Sequence, residues 1–224
     1  MNESHRRSIS ILFRNLLRRL RIRPDPILDA DSLALFLKAQ SAFVSQKTVV
    51  EYCRIKAGVR WQKLFGEAEF KAALEASRWI SMRAVLCDLT VITEGYLRET
   101  ARPRERAMAD TLCEMAASIL TGYERDARWR QESAAAIDEL GRRLARAQMA
   151  SPQTPDRIAR IAGAAVFDAL PVHSMLRAHD REVIVNNIRF GATRFREDLI
   201  ARATDKPALV ASLLGNAGSR RRAG

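Results

Sequence analysis

Apolar residues recur along most of this chain with the three- or four-residue spacing of one helix face. In residues 6–23 the apolar stripe falls at i, i+3, i+4, i+7, i+8 and i+11. Its members are Ile9, Leu12, Phe13, Leu16, Leu17 and Leu20. The arginines that flank the stripe or lie opposite it are Arg7, Arg14, Arg18 and Arg21. The pattern predicts a basic amphipathic helix that ends at the prolines Pro24 and Pro26.

The next two segments predict long helices. Asp31 and Ser32 are favourable N-cap residues, and Gly58 is a favourable C-cap, so this stretch is one helix or two that meet near Ser45. Residues 67–100 also predict one helix or two. Within them, residues 79–97 are apolar on nearly every side, which is typical of a helix at the centre of a bundle. Three charged residues interrupt this run and argue against a membrane span: Arg83, Asp88 and Glu94.

Proline and glycine divide the second half of the chain. Pro103 is expected at the first position of a helix that runs to about Leu120, with Gly122 just beyond its end. Residues 151–155 predict a loop. The other predicted helices are residues 125–149, 156–170, 180–203 and 207–214. The fold class is therefore all-α, an irregular multi-helix bundle of seven to nine helices. We divide it into residues 1–26 (basic helix and linker), 27–215 (bundle) and 216–224 (disordered basic tail).

Composition agrees with helices, because only 10 glycines and 7 prolines occur in 224 residues. The net charge of +12 lies mostly at the ends of the chain. Residues 1–23 hold seven arginines against Glu3, and the tail adds Arg220–Arg222. Residues 24–219 therefore contain 28 basic and 25 acidic residues. This balance argues against a duplex-binding core, although a local basic patch is compatible with it.

The basic helix at residues 6–23 has three interpretations. It could bind an anionic membrane or an acidic partner, pack on the bundle, or serve as a targeting segment. Arg14, Arg18 and Arg19 interrupt the apolar run that a secretory signal requires. In the membrane interpretation, the apolar stripe enters the acyl boundary and the arginines bind lipid headgroups.

Candidate chemistry is sparse. No catalytic residue, metal ligand set or cofactor motif is predicted, and the dispersed cysteines Cys53, Cys87 and Cys113 are interpreted as small buried residues. The tryptophans and tyrosines are scattered along the chain and are interpreted as core and rim filling. One candidate polar site remains, comprising His173, His179, Asn186, Asn187 and Arg189. The structural alternative is that these side chains make capping or interhelical hydrogen bonds.

From these observations we expect a non-enzymatic interaction or assembly factor. It would be cytoplasmic, and peripheral on the inner face of a membrane or bound to an acidic protein partner through residues 6–23. The first alternative is a nucleic-acid-associated regulator with basic terminal arms. The second is an enzyme on a helical scaffold, with its site near His173, His179 and Asn186. The oligomeric state and the identity of the partner are left open.

Overall fold

A computed structural model describes residues 25–123 and 127–220, with side chains to residue 215. Over these ranges the chain is helical and contains no strand, which confirms the all-α prediction. The predicted basic helix at residues 6–23 lies outside the described residues. The helices are α1 (Ala30–Ala57), α2 (Trp61–Leu64), α3 (Ala68–Ala101), α4 (Glu105–Thr121), α5 (Ala127–Ala147), α6 (Pro155–Ile158), α7 (Arg160–Ala169), α8 (Ser174–Arg177), α9 (Arg181–Arg202) and α10 (Lys206–Arg220), with a 3₁₀ turn (Gly58–Arg60) between α1 and α2.

Helix α1 is continuous, without a break at Ser45. Its N-cap is Asp29, not the predicted pair at residues 31 and 32. The Asp29 carboxylate accepts the Ser32 backbone N–H at 2.8 Å, and the Ser32 hydroxyl accepts the Asp29 N–H at 3.1 Å. This reciprocal capping box satisfies two donors that the first turn leaves free. Gly58 is the C-cap as predicted, with a φ of 55° that favours glycine.

Helix α3 is the centre of the bundle, as its apolar sequence predicted. Residues 85–94 are ten consecutive buried positions, so this part of the helix has neighbours on every side. The helices that pack against α3 are α1, α4, α5, α6, α7, α9 and α10. The part of α3 at residues 85–94 has no solvent face, which explains its loss of the usual amphipathic pattern.

Helices α1 and α9 are antiparallel and in contact along their length. The Phe36 ring stacks on the Phe195 ring with centroids 5.1 Å apart, near the start of α1 and the end of α9. Tyr52, near the end of α1, donates a hydrogen bond to Asp180, which precedes α9. At the other end, the backbone N–H of Ile27 donates to the Arg202 carbonyl at 3.1 Å. The antiparallel pairing of α1 and α9 thus places Ile27 and Arg202 at one end of the molecule and Tyr52 and Asp180 at the other.

Three predicted boundaries differ from the structure. Pro103 is not a first helical residue, because it lies in a tight turn that the Arg104 N–H closes on the Ala101 carbonyl at 2.7 Å. The predicted helix 156–170 is divided at Ala159 into α6 and α7. Helix α10 continues to Arg220, past the predicted end at residue 214, because separated glycines without a following proline are weak helix breakers.

Along the described ranges, no helix combines the length and the apolar character that crossing a bilayer requires.

Candidate functional site

The candidate membrane- or partner-binding stripe at residues 6–23 lies outside the described residues. The structure describes the chain from residue 25, and it shows where this segment joins the bundle. Ile27 is buried, and its backbone N–H is bonded to the carbonyl of Arg202 at the end of α9. The linker is therefore anchored at the end of the bundle where α1 begins and α9 ends.

The two histidines of the candidate polar site are both exposed and lie on either side of α8. The Nδ1 atom of His173 accepts the backbone N–H of Met175 at 3.3 Å, so this side chain caps the short helix. His179 lies in the turn before α9. In the part of the chain that the structure describes, no hydrogen bond or ion pair joins either histidine to Asn186 or Asn187.

The polar residues on α9 form an interhelical contact. Asn186 Oδ1 accepts a hydrogen bond from Arg189 Nη1 at 2.9 Å, and Arg189 Nη2 lies 3.3 Å from a carboxylate oxygen of Asp156 on α6. Asn187 is exposed on the same helix. The asparagine and the arginine thus hold α6 against α9, whereas the histidines lie in a different region, around α8.

Asp180 joins the end of α1 to the segment that carries the histidines. Its Oδ2 atom accepts a hydrogen bond from the Tyr52 hydroxyl at 2.7 Å and lies 2.5 Å from Lys56 Nζ. The bonds from Lys56 and Tyr52 hold the pKa of Asp180 below its ordinary value. Burial, followed by the adjacent Asp180 carboxylate, raises the pKa of Tyr52 well above its ordinary range. The carboxylate is therefore ionised and the phenol protonated at neutral pH.

Large aliphatic side chains project into solvent around this junction. The exposed fractions are 73% for Ile55, 98% for Val59, 81% for Met175 and 65% for Leu176. Ile55 and Val59 lie at the end of α1 and in the turn after it, and the other two lie on α8. Isolated exposed apolar residues are common, but four at one end of a molecule call for an explanation.

Basic residues lie close in sequence to these apolar side chains. Residues 52–66 contain four basic residues and no acidic residue, and residues 171–181 contain two arginines and one acid, Asp180, which is bound to Lys56. We call this region the basic apolar end, and it comprises Ile55, Val59, Met175 and Leu176 with Arg54, Lys56, Arg60, Lys63, Arg177 and Arg181. It is a local basic patch on a bundle whose total charge is nearly balanced.

Sequence reasoning missed the basic apolar end because its two halves are distant in sequence. Tyr52 and Asp180 are 128 positions apart, and the periodicity of α1 and α9 does not indicate which ends meet. One indication was present in the chain itself, namely the absence of acidic residues between positions 52 and 66. The candidate histidines belong to this end, although hydrogen bonds do not join them to the asparagines.

Two of the charges that interrupt the central helix, Asp88 and Glu94, form buried ion pairs. Asp88 is 1% exposed, and its carboxylate lies 2.5 Å from Arg143 Nη2 and accepts the Ala162 N–H at 2.9 Å. Burial raises the pKa of Asp88 to about 6, although Arg143 and the N–H bond oppose this shift. One carboxylate thus connects α3, α5 and α7, so its role in the structure is architectural.

Glu94 and Arg98 form a second buried pair on α3. Arg98 binds both carboxylate oxygens of Glu94, at 2.8 and 2.6 Å, and donates to the Ala150 carbonyl at 2.7 Å. Gln148 also donates to Glu94 and to the Glu105 carbonyl, at 3.2 and 2.9 Å. These bonds fix the start of the loop at 148–154 against the central helix, because a buried charge must be paired.

The aromatic residues are less scattered than their sequence positions indicated. Trp79 on α3 contacts two rings from other segments edge to face. Its ring centroid is 5.0 Å from that of Tyr123 and 5.9 Å from that of Trp129, with interplanar angles of 67° and 68°. These three half-buried rings form one wall at the surface of the bundle.

The cysteines are unpaired in the structure. Burial raises the pKa of Cys53 to about 11 and that of Cys87 to about 12, so both thiols are protonated at neutral pH. Cys113 is half-buried. Over residues 25–123 and 127–220, no group of three or more histidine, cysteine or carboxylate side chains is placed to hold a metal ion.

No family model, no curated protein and no solved structure matches this chain.

Proposed function

We propose that this protein is a non-enzymatic helical interaction factor that binds an anionic membrane surface through its basic apolar end and through residues 6–23. The observation that carries the proposal is the basic apolar end itself. At this end, four exposed apolar side chains occur with six basic residues, two of which are ion-paired, Lys56 with Asp180 and Arg181 with Asp168. Aliphatic tips that enter the acyl boundary and cations that remain among phosphates are the two requirements of interfacial binding.

The shape of this end favours a membrane over a protein partner. Val59 and Met175 are 98% and 81% exposed, so each projects from the surface rather than lining a depression. A rigid partner would need a matching pocket for each side chain, whereas a fluid bilayer adapts to separate projecting groups. A nucleic acid would bind the arginines and lysines through its phosphates and would have no use for the aliphatic tips.

Residues 6–23 support the same function from a separate part of the sequence. Their linker is anchored at Arg202, whereas the basic apolar end lies next to Asp180, at the opposite end of the 22-residue helix α9. A helix of that length spans about 33 Å, so the two attachment points are roughly that far apart. The two contributions can therefore be measured independently.

The test is co-sedimentation with phosphatidylcholine vesicles that contain or lack phosphatidylserine. We expect the full chain to bind the anionic vesicles, more weakly as salt rises, and the Val59→Ser/Met175→Ser variant to bind them about tenfold more weakly. A control is Leu35→Ser, which removes an exposed aliphatic residue from α1 outside the basic apolar end and should bind like the unaltered chain.

A chain that begins at residue 24 measures the contribution of residues 6–23, and we expect it to bind anionic vesicles more weakly than the full chain. Three results would contradict the proposal: no binding to anionic vesicles, equal binding with and without phosphatidylserine, or no effect of either the serine substitutions or the truncation. A salt-dependent association with DNA or RNA that the serine substitutions leave unchanged would favour the nucleic-acid alternative.

A further inference from the structure

An open cleft lies on the side of the bundle where α1, α3, the end of α4 and the start of α5 meet. Its volume is about 680 Å³, which is within the range of sites that hold small organic ligands. The residues that line it are Ala42, Gln46, Lys71, Ala72, Leu74, Glu75, Ala76, Arg78, Trp79, Met82, Tyr123 and Trp129. We call it the aromatic cleft.

One wall of the aromatic cleft is apolar. Trp79, Tyr123 and Trp129 form the edge-to-face cluster described above, and Leu74 and Met82 extend the apolar surface along α3. Edge-to-face packing fixes the rings relative to one another and leaves part of their faces to the cleft, since all three are half-buried. Such a wall favours a flat apolar group or a short acyl chain.

Two cations and one carboxylate are among the other lining residues. Lys71 and Arg78 both line the cleft, and Lys38 Nζ lies 4.9 Å from the centroid of the Tyr123 ring. Glu75 is the one carboxylate among the described lining residues. Within the part of the chain that the structure describes, neither Lys71 nor Arg78 forms an ion pair.

Arg78 has a further feature that points to a ligand. Its Nε atom is buried and has no hydrogen-bond partner among the described residues. Buried polar groups are nearly always hydrogen-bonded, and a guanidinium donor is matched best by a carboxylate or another oxyanion. The terminal nitrogens of Arg78, which also have no bond among the described residues, are the part of this guanidinium that the cleft leaves accessible to an oxyanion.

We propose that the aromatic cleft binds an amphipathic organic anion, with its flat apolar body against Trp79, Tyr123 and Trp129 and its oxyanion at Arg78 and Lys71. The apolar wall supplies most of the buried surface, and the two cations select for negative charge. This site is separate from the basic apolar end, and binding here does not depend on membrane association.

The test is a tryptophan fluorescence titration of the full-length Trp61→Phe variant. The chain has three tryptophans, so this substitution leaves only Trp79 and Trp129, which both line the cleft. The probes are 2-naphthoate, which has the proposed chemistry, and 2-naphthamide, which has the same ring system without the charge. We expect saturable quenching with 2-naphthoate and at least tenfold weaker binding of 2-naphthamide.

A second experiment introduces Arg78→Met into the Trp61→Phe variant. This substitution removes the charged guanidinium and leaves a long apolar side chain in its place. We expect the Kd for 2-naphthoate to rise about tenfold and the Kd for 2-naphthamide to be unchanged. The matched control is Arg160→Met, which removes an exposed arginine of α7 outside the cleft and should leave both constants unchanged. If the Arg78→Met chain does not fold, Lys71→Met carries the same test, because Lys71 is exposed and its loss leaves the core intact.

The proposal is overturned if 2-naphthoate gives no saturable quenching, if 2-naphthamide binds as tightly as 2-naphthoate, or if substitution of the cleft cations weakens binding no more than Arg160→Met does. Because the readout is binding in solution without lipid, failure here leaves the vesicle experiment unaffected.

Discussion

Asp88 and Arg143 show how a single buried ion pair can organise several helices. The Asp88 carboxylate interacts with Arg143 of α5 and with the backbone N–H of Ala162 in the first turn of α7. The N–H groups of a first helical turn lack partners within their own helix, so this carboxylate completes α7 from a neighbouring element. It also explains why α7 begins as a separate helix after Ala159.

The two partners respond differently to substitution because only one of them can become neutral. Asp88→Asn leaves Arg143 charged at every accessible pH in a largely buried position, and we expect a loss of about 3–5 kcal/mol in the free energy of unfolding. Arg143→Met leaves Asp88, which can take up a proton. Its pKa, already about 6 in the folded protein, rises further when the cation is removed.

We therefore predict that the stability of Arg143→Met falls as pH rises. The folded-state pKa of Asp88 lies above its unfolded value, so the folded state binds the additional proton, and this contribution is lost as pH rises toward the folded-state pKa. Urea unfolding at pH 5 and pH 8 measures the effect. If Asp88→Asn and Arg143→Met lose the same free energy of unfolding at both pH values, Asp88 is not the titrating group.

At the scale of helices, close approaches at glycine determine how elements pack. A Cβ atom added to Gly163 on α7 would lie 3.0 Å from the Cα atom of Val185 on α9, so any side chain there meets the backbone of the neighbouring helix. A Cβ atom added to Gly215 on α10 would have no atom within 4 Å. The two positions are both helical and differ in what surrounds them.

We predict that Gly163→Ala lowers the free energy of unfolding by about 1–3 kcal/mol, because α7 and α9 must separate to accept the methyl group. Gly215→Ala is the matched control and should raise it by up to about 1 kcal/mol, because alanine favours the helix and meets no neighbour. Denaturant unfolding followed by circular dichroism measures both. A Gly163→Ala protein as stable as the control would mean that the α7–α9 approach has room to relax.

At the scale of the whole molecule, one continuous core connects the described helices. A single cluster of buried apolar residues extends from Ile27, before α1, to Leu213, in α10. The bundle has no described segment with a separate core, so its helices depend on one another for burial. This continuity is the physical basis for treating residues 27–215 as one unit.

We predict that the bundle unfolds in one cooperative transition. Far-ultraviolet circular dichroism reports on all helices, whereas tryptophan fluorescence reports on Trp61 in α2, Trp79 in α3 and Trp129 in α5. Because these positions share one core with the rest of the molecule, the denaturant midpoints from the two probes should coincide. Midpoints that differ would show that part of the bundle opens independently.

The sequence by itself determined the helices and the position of the central one. Helix spacing, the glycines at 58 and 122 and the loop at 151–155 are local properties, so they could be predicted from neighbouring residues alone. The burial of the central helix was also evident from the apolar run at 79–97, because a helix without a polar face needs neighbours on all sides, and residues 85–94 within it are all buried. The precise ends were less predictable, as Asp29 and Pro103 show, because they depend on side-chain and turn hydrogen bonds.

Only the tertiary structure decided which side chains meet. Lys56 and Asp180, Asp88 and Arg143, and Trp79 and Trp129 each come from different segments, and the periodicity of one helix does not indicate which helix lies beside it. The candidate polar residues near α8 and α9 illustrate the same limit, since proximity in sequence did not join the histidines to the asparagines. The basic apolar end and the aromatic cleft are products of helix packing, and for that reason they emerged only from the fold.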